Sequence, residues 1–69
     1  MSYQILTDDD AAYQRAIEYV RKRCPDDLRI ESPRYRMIAV EELTNEAKEH
    51  LRKLGAHVVI DRRYALEAG

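Results

Sequence analysis

The side chains in this chain that can do chemistry are Cys24, His50, His57 and three acidic runs: Asp8-Asp9-Asp10, Asp26-Asp27 and Glu41-Glu42. A cysteine nucleophile needs a base beside it and a polar opening, but Cys24 falls on an apolar helical stripe and reads as a small core residue. The two histidines are separated by a helix end and Gly55, and no Cys/His/Asp group has the spacing of a metal site. Acid–base catalysis needs a carboxylate desolvated in a cleft, whereas these acids lie at element ends, where capping and solvation explain them. Glycine occurs only at positions 55 and 69, so no loop can cradle a phosphate. The expectation is a protein that binds rather than catalyses, with no cofactor and no metal.

The elements that would position these residues follow from periodicity. Tyr3 to Thr7 suits a first strand. Thr7 and the acidic run then offer N-caps and negative charge for a helix N-terminus. Tyr13, Ala16, Ile17, Val20 and Cys24 recur at helical spacing, with Arg15, Glu18, Arg21, Lys22 and Arg23 on the wet side, and Pro25 ends that helix. Leu28 to Ser32 alternates, predicting Leu28 and Ile30 on one side and Arg29 and Glu31 on the other. After Pro33, Tyr35 to Glu42 reads as another strand, with Met37 and Ala39 on one face and Arg36, Ile38 and Val40 on the other; the two segments form a hairpin or one strand bent at Pro33, and the hairpin is the favoured reading. Thr44 caps a second helix carrying Ala47, Leu51 and Leu54 on one face, with His50 beside them. Gly55 sits where a left-handed helix stop belongs. Ala56 to Ile60 is a final β-branched strand, with Ala56, Val58 and Ile60 toward the helices.

The order β-α-β-β-α-β predicts an α+β ferredoxin-like (split βαβ) domain over residues 1–69: a four-stranded antiparallel sheet with both helices on one face. Residues 64–69 form an extended C-terminal tail in this reading. Sixty-nine residues allow a single small domain, too little protein for both a core and a large enclosed pocket. Charged residues make up 36% of the chain, yet the net charge is only −1, so no broad phosphate-attracting field is expected. Arg34, Arg36, Arg62 and Arg63 could cluster locally. An RNA-binding version of the fold would carry aromatics on its central strands, and Arg36-Met37-Ile38-Ala39-Val40 has none. Neither nucleic acid nor membrane is expected as a partner. The lone cysteine excludes an internal disulfide, and the chain reads as cytoplasmic, with no apolar leader and no long apolar run.

From Leu43 to Gly69 the sequence resembles the propeptide and inhibitor family of subtilisin-like serine proteases, including small fungal inhibitors of proteinase B. The resemblance rests on the helix Thr44-Asn45-Glu46-Ala47-Lys48-Glu49-His50-Leu51-Arg52-Lys53-Leu54, the turn Gly55-Ala56, and the strand His57-Val58-Val59-Ile60-Asp61. It covers about the last 27 residues and implies the same β-α-β-β-α-β fold. It also implies a free-standing inhibitor or folding chaperone whose partner is a subtilisin-like protease, gripped by the outer sheet face and by a tail running through the substrate groove. Gly69 would then lie nearest the scissile position. Ala68 would occupy a small subsite, Glu67 would face solvent, Leu66 would fill an apolar subsite, and Tyr64 would begin the tail. Glu41 or Glu42 would cap an exposed helix N-terminus of the protease. The chain departs from the family at Gly69, where a large apolar residue is usual, and at Arg62-Arg63, where acids are common.

The residues alone leave open a second class: an interaction module without a protease partner, pairing through its sheet face or edge, with Tyr35, Met37 and Ile38 expected to be exposed. A homodimer is one form of it.

Overall fold

The computed structural model describes residues 2–60. Its elements are β1 (Tyr3–Leu6), α1 (Asp10–Arg23), β2 (Leu28–Ser32), β3 (Met37–Val40), α2 (Asn45–Lys53) and β4 (His57–Ile60). The strands form one antiparallel sheet in the order β2-β3-β1-β4. This is the ferredoxin-like arrangement, with both helix connections crossing one face.

Each helix begins where its cap dictates. Asp9 accepts the Ala12 amide at 2.7 Å and Thr44 accepts the Ala47 amide at 3.1 Å, each satisfying an amide that the first turn leaves without a partner. Thr7 is not a cap. It is buried, and both its amide and its hydroxyl donate to the Arg36 carbonyl, at 3.0 and 2.8 Å. Gly55 closes α2 at φ 97°, a backbone state that costs a residue with a Cβ about 1 kcal/mol.

The core lies between the helices and one sheet face. Ile5, Ile17, Val20, Ile38, Val40 and Leu51 are its largest fully buried side chains. Tyr13, Ala16 and Ile17 supply the α1 stripe and Ala47 and Leu51 the α2 stripe, as their spacing predicts. Cys24 is half-buried at the α1 C-terminus and packs on the cluster's edge. Ile38, expected on the surface, is 0% exposed because its parity puts it, opposite Ile5, on the sheet face that the helices cover. β3 is also shorter than its apolar run, because Pro33 to Arg36 form the hairpin turn, with Arg36 at φ 53°.

β2 departs from simple alternation. Leu28 pairs with Val40 but Ile30 pairs with Ala39, so one extra residue, Arg29, is accommodated as a bulge. Leu28 therefore points to the helix side and Ile30 to the other face, not to the same side. Glu31 falls on the helix side, where Arg21 of α1 binds its carboxylate, with the Arg21 Nε at 3.4 Å from Oε2.

Candidate protein-docking surface

Strand parity and register define what the helices leave uncovered. Gln4 and Leu6 share the open face with Met37 and Ala39, His57 and Val59, and Ile30 and Ser32. Asp, Glu, Lys and Arg are absent from these eight positions, in a chain that is 36% charged. Ile30 and Val59 are 54% and 41% exposed, and Tyr35 at the hairpin tip is 72% exposed. An uncharged patch on a charged molecule is the surface pattern of a docking site.

Polar contacts flank this patch at both ends of the sheet, a histidine–carboxylate hydrogen bond at one and an arginine–glutamate ion pair at the other. At one end the His57 Nε2 meets the Asp8 carboxylate at 3.2 Å. At the other, Arg29 approaches Glu41 at 3.9 Å and donates to the Asp26 carbonyl at 2.8 Å. All four side chains are substantially exposed, so the pairs contribute little stability. The formal charges of Asp8, Arg29 and Glu41 thus lie beyond the eight face positions.

The hairpin tip is braced against the start of α1. The Arg36 guanidinium donates to Asp10 at 3.1 Å and to the Asp8 carbonyl at 3.2 Å. Arg34 lies over the Tyr35 ring at 5.6 Å. These two arginines are thus engaged separately, and Arg62 and Arg63 lie outside the described residues. The backbone contacts of Thr7 to Arg36 fix the same turn.

Of the acids assigned to partner contact, Glu41 follows β3 with its amide on the Asp27 carbonyl at 2.8 Å and its carboxylate beside Arg29. Glu42 instead lines a cleft of about 440 Å³ between the C-terminal end of α1 and the N-terminal end of α2. The two glutamates therefore face different surroundings. Tyr64, Leu66, Glu67, Ala68 and Gly69 lie outside the described residues. Ile30 was missed as a surface residue because the bulge that turns it outward leaves no mark in the alternation.

That same cleft holds a stacked Tyr19–His50 pair, with ring centroids 4.2 Å apart, and Cys24. Burial first, then the nearby Asp27 carboxylate, pushes the Cys24 thiol above its ordinary range. A thiol so held is a poor nucleophile at neutral pH. Among the described residues, no group of three or more His, Cys, Asp or Glu side chains could hold a metal ion. No helix among them is long and apolar enough to cross a membrane.

The chain matches no known protein-family model, no curated protein and no solved structure.

Proposed function

We propose that the protein is a binding module that docks a larger protein on its open sheet face, and that this partner is a subtilisin-like serine protease. The observation that carries the docking role is the open face free of Asp, Glu, Lys and Arg, with the Arg29–Glu41 pair beyond one end and Asp8 beyond the other. The protease is proposed from the resemblance of residues 43–69 and from the β-α-β-β-α-β order that such inhibitors share. In this reading the face packs on the protease, residues 64–69 enter its substrate groove, and Glu41 offers its carboxylate to a helix N-terminus of the partner.

Size favours a large partner over a second copy stacked face to face. Four strands about 4.8 Å apart, three of four residues and one of five, at about 3.3 Å per residue, make roughly 270 Å² of flat area. A stable interface takes about 800 Å² from each partner. The face must therefore be supplemented by contacts beyond the sheet, which the hairpin tip at Tyr35 and the C-terminal segment can offer to a protein that wraps past the edges.

The test is inhibition of a subtilisin-type protease by the full chain, by a chain lacking Ala65 to Gly69, and by Met37→Glu. Inhibition at micromolar concentration is expected for the full chain, with a loss in both variants and unchanged thermal unfolding. Simple digestion of the full chain without inhibition would end the protease reading.

A further inference from the structure

The two edges of the sheet are not equivalent. A strand edge offers amide and carbonyl groups to any extended chain, and natural sheets block it with bulges, charges, proline or a covering element. β2 carries three of these devices: the bulge at Arg29, the charges of Arg29 and Glu31, and Pro33 immediately after it. Within His57–Ile60, the described part of this edge, β4 carries none of them, and Asp61-Arg62-Arg63 follow it in the sequence. It pairs with β1 in unbroken register from His57 to Ile60, and three of its four residues are β-branched and apolar. Val59 and Ile60 are about half exposed, at 41% and 48%.

Beside this edge lies an open cleft of about 410 Å³, lined by Tyr3, Lys48, Arg52, Val58, Val59 and Ile60. Its apolar wall is β4 and its charged wall is α2, and among the described residues the lining holds two cations and no carboxylate. Lys48 is held in place: its ammonium donates to the Tyr3 hydroxyl at 3.1 Å and sits 4.4 Å from the Tyr3 ring centre. A side chain already fixed by such contacts loses less entropy when it takes a further partner.

We propose that β4 is a docking edge for an extended acidic segment of another protein, which adds to the sheet as a fifth strand and places its carboxylates against Lys48 and Arg52. Main-chain hydrogen bonds to β4 supply the affinity, and the two cations select the acidic sequence. A second copy of this chain fits the edge poorly. Antiparallel pairing of β4 with β4 about a two-fold axis normal to the sheet sets the two α2 helices side by side, with Lys48 and Arg52 of each facing the same cations of the other. The proposal stands apart from the protease reading, since it needs neither the open face nor a protease, and its failure leaves the inhibition test untouched.

The test uses the full chain and two end-capped nine-residue peptides, one alternating valine with glutamate and one alternating valine with lysine. The glutamate peptide is expected to bind at least about tenfold more tightly, a charge preference that weakens with salt. Amide hydrogen exchange should slow at alternate residues of His57–Ile60 and nowhere in Leu28–Ser32. Arg52→Glu, at an exposed helix position, should weaken the glutamate peptide by about fivefold and leave thermal unfolding unchanged. Equal binding of the two peptides, protection on β2, or indifference to Arg52→Glu would each overturn the proposal. So would a dimer in sedimentation that accounts for protection of β4. The same holds if β4 is already protected in the free chain and loses that protection when residues 61–69 are removed, since the chain's own end would then be the occupant.

Discussion

β2 and β4 terminate the same sheet at opposite edges and differ in almost every respect that governs strand addition. β2 is bent by its bulge and tied by Glu31 to Arg21 of α1 and by Arg29 to the Asp26 carbonyl. β4 is short, straight and β-branched, and opens beside a cationic cleft. A 69-residue domain has little stability to spare, so an apolar edge that carries no guard among the described residues is a hazard unless something covers it. The contrast teaches that, among the described residues, the devices that guard a sheet edge are concentrated on β2, and the docking proposal rests on that asymmetry.

The most severe way to break the comparison is to remove what both edges lean on. Ile38→Ala, at the fully buried centre of β3, should cost about 2–5 kcal/mol in urea unfolding, a large share of a small domain's stability. Both edges should then lose amide protection together. Loss at one edge only would mean that they belong to separate cooperative units.

Deleting Arg29 sharpens the comparison. The bulge is one extra residue, so its removal preserves the facing of Leu28, Ile30 and Glu31 while straightening β2. The deletion should fold and should associate edge to edge more strongly than the parent in sedimentation. A well-folded monomer would show that the bulge is not what guards this edge. Gly55→Ala acts on the approach to β4. A Cβ there meets nothing within 4 Å, so the cost is the strained φ alone, about 1 kcal/mol by thermal or urea unfolding.

Tyr13 and the Arg21–Glu31 pair join the β2 edge to α1 and give the smallest effects. Burial pushes the Tyr13 phenol above its ordinary 10.0, the Glu31 carboxylate adds to the rise, and Arg21 offsets part of it. With the folded value raised, the unfolded chain releases this proton first as pH climbs. The contribution is complete below about pH 10 and is lost as pH rises through the folded value. Tyr13→Phe should therefore flatten the alkaline fall in stability. Glu31→Gln removes an exposed partner of Arg21 and should change stability least of all, with any difference fading in about 1 M salt.

Much of the fold was legible because helices and glycine stops advertise themselves locally. The stripe from Tyr13 to Val20, the cap at Thr44 and the stop at Gly55 all lie where spacing puts them. The open face was only half legible. Met37 and Ala39 follow from alternation, but Ile30 reaches the face through a bulge that depends on pairing with β3, a partner that alternation cannot see. Ile38 went to the core for the same kind of reason, since parity separates the two faces without saying which one the helices cover. The asymmetry of the edges required the strand order, because β4 becomes an edge only once β1 and β3 are known to take the centre.

The most direct test is the methyl NMR spectrum of the full chain with and without a subtilisin-type protease whose catalytic serine is replaced by alanine. The methyl groups of Leu6, Met37 and Val59 should shift or broaden on complex formation, while those of Ile17 and Val20 beneath α1 stay in place. Absence of a complex, or changes confined to the helix side, would contradict a surface built on the uncovered face of the sheet.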